Sequence, residues 1–141
     1  MRLSKAALDE MLAHARETHP AECCGALAGR VVSGDVKEVV RLEPAVNRRT
    51  DDPHRYLIAP EDSRRLEKQL KSEGLEIVGY YHSHPDHPAV PSAFDADHAW
   101  PWYSYVIVRV DRGRGADLAS WVLENDLPRM QPESLEVLSE V

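Results

Sequence analysis

Residues 75–95, LEIVGYYHSHPDHPAVPSAFD, decide the expected fold and carry the first sign of chemistry. The segment opens with β-branched and aromatic residues, which are typical of a buried strand, and this strand runs into His82 and His84. A proline-rich loop follows, and from Ser92 to about Trp100 the chain is predicted to form a short helix. The segment therefore predicts a strand, a loop and a helix in succession, with polar side chains near their junctions.

Two longer helices are predicted on the N-terminal side of this segment. Residues 4–17 place apolar side chains at helical spacing, and Ser4 suits the N-cap position. Residues 60–74, PEDSRRLEKQLKSEG, begin with a proline and two acidic residues, which favour the first turn of a helix, and end with a glycine. Each helix would present an apolar face that needs a partner.

The remaining strands are predicted from short apolar stretches bounded by turns, at 23–32, 36–47, 56–58, 102–110 and 116–123. Strands mixed with two or three helices predict an α/β sandwich around a mixed sheet. Residues 45–55 are polar and aperiodic, so they are predicted to form a loop of the kind that often carries recognition. The structure of the tail, 125–141, is left open.

Composition narrows the class of protein. The chain has 141 residues and a formal net charge of −7, which fits one domain over 1–141 with its core at about 3–123 and argues weakly against a nucleic-acid partner. No apolar run approaches the ~20 residues that cross a bilayer, so no membrane partner is expected. Cys23 and Cys24 are neighbours that rarely pair with each other, which favours a reducing, cytoplasmic location.

His82 and His84 form a candidate metal site. Side chains two apart on a strand point the same way, so the two imidazoles can share one metal ion at ~2.0–2.1 Å. The alternative is a pair of histidines at a strand end with no ligand role.

Ser92 and Asp95 have the spacing of a helix capping box, which by itself is the more common meaning of such a tetrad. The preceding proline-rich loop could also fold the chain back and present Asp95 to the two histidines. Two imidazoles and one carboxylate make a typical catalytic zinc set with a fourth position for water. A carboxylate base is then required, and physical reasoning alone leaves Glu22, Glu61 and Glu76 as candidates.

These residues together resemble the signature of the JAMM (MPN-plus) zinc metalloproteases, also described as Mov34/MPN/PAD-1-like. The family pattern is a distant glutamate followed by H-[ST]-H-P-x6-S-x-x-D. This chain matches it in order and spacing at five positions: Glu22, His82, His84, Ser92 and Asp95. The resemblance spans roughly residues 3–123 and is to the short, stand-alone prokaryotic branch.

The resemblance implies one Zn²⁺ per chain, held by His82, His84 and Asp95. It also implies that Glu22 is the general base and acid, and that Ser92 steadies the oxyanion. The implied fold is a cytidine-deaminase-like three-layer α/β sandwich, with a mixed sheet flanked by helices.

The implied activity is that of a peptidase or isopeptidase that hydrolyses the amide bond after the Gly-Gly tail of a ubiquitin-like or sulfur-carrier protein. Such a tail is thin enough to lie as an added strand at a sheet edge, with loops 45–55 and 85–91 as walls. One alternative is a non-catalytic binding module of the same fold, against which the complete five-residue set argues. A zinc deaminase needs a helix with H-x-E or C-x-E and a P-C-x-x-C motif, and the sequence has neither. The oligomeric state is open, with a homodimer as one option.

Several neighbouring residues are interpreted more simply. His87 and His98 are expected at the surface or rim of the site, and Cys24 is expected to be a buried strand residue and not a nucleophile. Four aromatic residues are interpreted mainly as core, with a substrate groove as the alternative: Trp100, Trp102, Tyr103 and Tyr105.

Overall fold

A computed structural model describes residues 1–45, 47, 58–111, 114–124 and 129–138. Within these ranges the chain forms three α-helices, a single 3₁₀ turn and one sheet of eight strands. In chain order the elements are β1 Arg2–Ser4, α1 Lys5–Thr18, β2 Cys24–Val32, the 3₁₀ turn Ser33–Asp35, β3 Val36–Ala45, α2 Pro60–Ser72, β4 Glu76–Pro85, α3 Ala93–Asp97, β5 Ser104–Asp111, β6 Arg114–Leu123, β7 Met130–Glu133 and β8 Glu136–Leu138.

The sheet is mixed, and its strand order is β7-β6-β5-β4-β2-β3-β1-β8. The parallel pairs are β4 with β5, β1 with β3 and β1 with β8; the other neighbours run antiparallel. β4, the strand at the centre of the sequence argument, lies inside the sheet between β2 and β5. Its residue His82 is opposite Cys24 on one side and Ile107 on the other. Ladder bonds on both sides therefore fix the backbone of the candidate site.

Helix α1 covers one face of the sheet. Its residues Met11 and Ala15 are buried together with Leu3, Leu27 and Val78, and each fully buried aliphatic side chain of this kind contributes about 1.5–3 kcal/mol. Ser4 caps the helix by accepting a hydrogen bond from the Ala7 amide, as the sequence predicts. This face contains the larger apolar cluster, so α1 anchors the sheet.

Helix α2 covers part of the opposite face, where Leu70 packs with Ala26, Ala28 and Ile77. Consecutive residues of β4 thus belong to apolar clusters on opposite faces of the sheet: Ile77 packs on the α2 side and Val78 on the α1 side. The predicted mixed sheet flanked by helices is confirmed at this level. None of the helices in the described ranges combines the length and apolar character of a membrane crossing.

Several predicted boundaries shift or lie outside the described residues. Strand β5 begins at Ser104 and not at Trp102, because Trp102 has a backbone φ of 80°, which does not fit a strand. The tail, 125–141, whose structure the sequence did not predict, contributes β7 and β8 at opposite edges of the sheet. Most of loop 45–55, and residues 56 and 57 of the strand predicted at 56–58, lie outside the described residues.

Gly25 meets a packing requirement next to the site. A Cβ atom at this position would lie 2.3 Å from the ring of Tyr81, which is fully buried. The Tyr81 hydroxyl is 2.8 Å from Nδ1 of His14 on α1. Gly25 thus allows the ring of Tyr81, the residue before His82 on β4, to pack over β2.

Candidate active site

His82 and His84 lie on the same side of β4 near its C-terminal end, as their spacing predicts. Their Nε2 atoms are 3.1 Å apart, and the two side chains are only 1% and 2% exposed. Burying two imidazoles at this distance is costly unless another group satisfies their nitrogens. The strand therefore offers a closely spaced pair of nitrogen donors for a third group.

The third group is Asp95 on α3. Its Oδ2 lies 3.1 Å from Nε2 of His84 and 3.3 Å from Nε2 of His82. The same oxygen accepts a 2.9 Å hydrogen bond from the backbone amide of Ser92. The loop after β4 thus folds back and brings the carboxylate to both histidines.

The three atoms form a triangle with sides of 3.1, 3.1 and 3.3 Å: His82 Nε2, His84 Nε2 and Asp95 Oδ2. Ligands of a tetrahedral zinc ion at 2.0–2.1 Å are about 3.3–3.4 Å from one another. The spacing in this chain is close to that value, so the residues fit a zinc-sized ion.

The tautomer of His84 gives a second test of the fit. Its Nδ1 is 2.7 Å from the carbonyl oxygen of Pro88, which can only accept, so Nδ1 carries a hydrogen. In the neutral ring Nε2 is then an acceptor, and it faces the Asp95 carboxylate, which also accepts. Two acceptors at this distance require a positive charge, either a proton or a metal ion. The carbonyl contact is also the arrangement that orients metal-binding histidines.

Ionisation in the site favours the metal-binding forms. Burial lowers the pKa of His82, and the hydrogen bond and charge of Asp95 oppose that shift only in part. Burial alone would raise the pKa of Asp95, but the contacts with His82 and His84 outweigh it and hold this pKa well below its usual range. A neutral imidazole and an ionised carboxylate are the states that ligate zinc.

Glu22 lies beside the same pair of histidines. It is 3% exposed, and one of its carboxylate oxygens lies within 4.8 Å of the ligand nitrogens of His82 and His84. Its neighbour Cys23 is fixed to β4, because the Cys23 amide donates to Ser83 Oγ at 2.9 Å and the Ser83 amide donates to the Cys23 carbonyl at 3.1 Å. Of the three glutamates left open by physical reasoning, the structure places Glu22 next to the histidines.

Glu61 and Glu76, the other two, are exposed at the first turn of α2 and at the start of β4. Glu76 pairs with Gly29, whereas His82, six residues further along β4, pairs with Cys24.

Ser92 is the N-cap of α3. Its Oγ accepts a 3.0 Å hydrogen bond from the Asp95 amide, while the Asp95 carboxylate accepts from the Ser92 amide, so the capping box is confirmed. A capping hydroxyl accepts through a lone pair and keeps its hydrogen for another acceptor. The box therefore positions Asp95 and leaves the Ser92 hydroxyl, which is exposed, able to donate.

Comparison with known proteins places the chain in a family. The sequence pattern of the family described as prokaryotic homologs of the JAB domain matches residues 4–124. The chain belongs to the prokaryotic JAB family. Its similarity to the JAMM/MPN proteins, seen in the five-residue signature, is thereby confirmed.

Two relatives and two solved structures illustrate this membership. The chain is 39% identical to a desampylase of Haloferax volcanii, over 77% of this chain and 80% of the relative. It is 36% identical to a Thermus thermophilus protein named “probable TtuB-protein conjugate cleaving protease”, over 74% of this chain and 66% of the relative.

The solution structure of a protein from Desulfitobacterium hafniense is 32% identical, with a TM-score of 0.85 over 99% of this chain and 94% of the other. A JAB1/MPN domain protein of Archaeoglobus fulgidus, 21% identical, shares the fold with a TM-score of 0.60 over 98% of this chain and 99% of the other.

A cavity of about 610 Å³ opens beside Asp95 in this JAB-family chain. The N-terminal half of α2 forms one wall, and aromatic side chains form much of the rest, including Tyr80, Phe94, Trp100, Tyr103 and Tyr105. The interpretation of the aromatic cluster mainly as core is wrong for its tryptophans, because Trp100 is 69% exposed and Trp102 is 46% exposed. Pro101, which lies between them, is the sequence signal that could have indicated an exposed segment.

The two histidines interpreted as rim residues lie close to the site. His87 stacks on the ring of His84 with centroids 4.1 Å apart, and His98 stacks on Phe94 at 4.0 Å and lines the cavity. Among the described residues, Glu22, His82 and His84 form a group with converging ligand atoms, and the contacts of Asp95 with both imidazoles add a fourth side chain; neither rim histidine belongs to this group.

Proposed function

We propose that this chain is a zinc-dependent peptidase or isopeptidase that hydrolyses the amide bond after the Gly-Gly tail of a ubiquitin-like or sulfur-carrier protein. The observation that carries the proposal is the meeting of His82, His84 and Asp95 at 3.1–3.3 Å with Glu22 beside them. Nitrogen and carboxylate donors in this number suit a catalytic zinc site with one position left for water.

Each residue has a proposed part in the reaction. His82, His84 and Asp95 would hold one Zn²⁺, which would supply a Lewis acid and lower the pKa of water so that hydroxide is available near neutral pH. Glu22 accepts the proton of the attacking water and returns it to the leaving nitrogen.

The proposed part of Ser92 is to donate its hydroxyl hydrogen to the oxygen that becomes negative as the carbonyl is attacked. Its position at the start of α3 supports this part, because the capping box ties it to Asp95. The donor is thereby held close to a residue that would bind the metal.

The names of the relatives support the substrate class. One is named a desampylase and the other a probable TtuB-protein conjugate cleaving protease, and the second name refers to cleavage of a protein conjugate. We extend that substrate class to this chain. A Gly-Gly tail has no side chains, so it can approach buried ligands such as His82 and His84 through a narrow opening, and a preceding apolar residue could occupy the aromatic cavity.

The finer predictions on fold and location are part of the same proposal. They are one domain over 1–141, a cytidine-deaminase-like three-layer architecture and a cytoplasmic location. Loop 85–91 as a wall of the site is supported by the contact of the Pro88 carbonyl with His84.

A pair of matched substrates tests the proposal. A Gly-Gly-tailed carrier protein is joined through its C-terminus to a lysine side chain of a peptide, and its partner substrate ends in Ala-Ala. We expect the zinc-loaded protein to release the peptide from the first substrate at least ~100-fold faster, because methyl groups obstruct the narrow approach. Chelation should stop release and added zinc should restore it, as followed by mass spectrometry.

Two outcomes would count against the proposal. Equal rates on both substrates would remove the Gly-Gly assignment. Tight binding of the carrier with no mass change, in protein shown to hold zinc, would favour the non-catalytic binding module.

A further inference from the structure

A buried lysine lies away from the metal-binding residues. Lys37, near the start of β3, is 6% exposed, which is rare for lysine unless its ammonium group is paired. Its Nζ donates to the backbone carbonyl of Trp102 and, at 3.0 Å, to Oγ of Ser104. Strands β2 and β4 lie between β3 and β5 in the sheet order. The side chain of Lys37 therefore links β3 to the start of β5 across two intervening strands of the curled sheet.

All three N–H groups of this ammonium can be satisfied locally. Besides the two oxygen acceptors, Nζ lies 4.8 Å from the centroid of the Trp102 ring, within the range of a cation–π contact. Burial lowers the pKa of Lys37, and the charge of Glu133 opposes that shift. A lysine held by two acceptors and one ring fixes the position of the residue that supplies two of the three contacts, Trp102.

Trp102 needs such a contact, because its backbone conformation is unfavourable and its side chain is only partly buried. Its φ of 80° lies in the left-handed region, which costs a bulky residue of order 1–3 kcal/mol. Its side chain is 46% exposed, so packing compensates this cost only in part. The bond from Lys37 to the Trp102 carbonyl acts on the strained residue itself.

The position of Trp102 affects the cavity. Trp100 and Tyr103, on either side of it in the chain, both line the cavity, and the Trp102 ring contacts the ring of Tyr103 edge-on at 5.2 Å. Tyr103 in turn lies 5.6 Å from Tyr80, another lining residue. A shift of the Trp102 backbone would therefore change the aromatic wall.

We propose that Lys37 is a positioning residue that holds segment 99–104, and with it the aromatic wall of the cavity beside Asp95. The effect of Lys37 on substrate binding rests on the proposed function. Its effect on the order of segment 99–104 does not. Lys37 acts through Trp102 and Ser104 and contacts none of the three proposed zinc ligands.

The test compares Lys37→Met with wild type and with Lys71→Met, a matched change at an exposed lysine of α2. Methionine keeps the length and apolar stem of lysine and removes the three donors. Hydrogen exchange of the backbone amides of 99–104 is measured by mass spectrometry, together with zinc content, kcat and KM. Ser104→Ala, a milder change that removes one acceptor, decides the matter if Lys37→Met does not fold.

We expect exchange in 99–104 to accelerate about tenfold or more in Lys37→Met, as befits loss of charged hydrogen bonds, and less in Ser104→Ala. Zinc content should stay unchanged, KM should rise about fivefold or more and kcat should remain within about twofold. Lys37→Arg, which retains a charge and donors, should recover most of the protection.

Unchanged exchange in 99–104, or faster exchange spread evenly over the whole sheet, would overturn the proposal. Exchange and zinc content need no substrate, so they decide the role of Lys37 separately from the proposed hydrolysis. A wild-type protein without turnover would contradict the proposed function and leave the exchange result standing.

Discussion

The buried polar residues of the described chain form two groups that differ in how they are satisfied. One is the site group, Glu22, His82, Ser83 and His84; the other is the lysine group, Lys37 and Ser104, near which Ser120 donates to Glu133, whose charge acts on Lys37. In the lysine group an ammonium meets two oxygens and an aromatic face. In the site group Nε2 of His84 faces Oδ2 of the neighbouring Asp95 at 3.1 Å, and two acceptors at this distance require either a proton or a metal ion between them. The comparison indicates that the ammonium of the lysine group is satisfied within the chain, whereas the side chains of the site group have the donor set that a metal ion could use.

The change with the largest expected effect is His84→Ala, which disrupts the site group and leaves the lysine group intact. Removing one of three ligands should lower zinc affinity by at least ~100-fold and bring turnover below detection. Zinc content after dialysis and peptide release measure the two effects. His87→Ala, at the ring stacked on His84, is the control and should retain zinc. Full zinc content in His84→Ala would remove the ligand assignment.

Glu22→Gln should have the next largest effect, because it removes the base and preserves the shape of the side chain. We expect turnover to fall by about 10²–10⁴-fold, with zinc content unchanged. Glu61→Gln and Glu76→Gln are matched controls, since sequence reasoning alone could not separate these glutamates from Glu22. Near-normal turnover in Glu22→Gln would place the base elsewhere.

Ser92→Ala sharpens the comparison by separating a structural role from a chemical one. Loss of the capping hydroxyl should cost about 1 kcal/mol of stability, measured as the free energy of unfolding. Loss of an oxyanion donor should also lower kcat by about 10²–10³-fold. Ser92→Thr retains a hydroxyl and should keep most of both. A variant with lower stability but unchanged kcat per bound zinc would limit Ser92 to capping.

Local sequence signals predicted much of the fold. Ser4 marks the start of α1, Pro60 the start of α2, and the apolar run into His82 marks β4, because caps and periodicity act between near neighbours. The sheet order was not predicted. Parallel pairing of β1 with β8 joins the two ends of the chain, and no local pattern specifies a contact over that separation.

The candidate site was predictable for a similar reason, and its surroundings were not. His82, His84 and Asp95 lie within fourteen consecutive residues at strand and helix spacing, so geometry could bring them together. Glu22 could be selected only through the family resemblance, because its approach depends on pairing of β2 with β4. Lys37 gave no signal, since a single lysine in a strand is usually exposed and its partners lie more than sixty residues away.

The smallest expected effect concerns the two cysteines beside Glu22. Burial raises the pKa of both thiols, and that of Cys24 to about 12. A raised pKa means less thiolate, so at pH 8 only about one Cys24 thiol in 10⁴ is ionised. We expect almost no alkylation by iodoacetamide in the folded protein and full alkylation of both thiols in urea, as measured by intact mass. Rapid labelling at pH 8 would reopen the cysteine-nucleophile alternative.

The most direct test of the account is a crystal structure of the zinc-loaded protein, with anomalous scattering measured on both sides of the zinc absorption edge. We expect one zinc peak per chain at about 2.0–2.2 Å from Nε2 of His82, Nε2 of His84 and a carboxylate oxygen of Asp95. A zinc peak bound elsewhere, or an Asp95 side chain turned away from both imidazoles, would contradict the account.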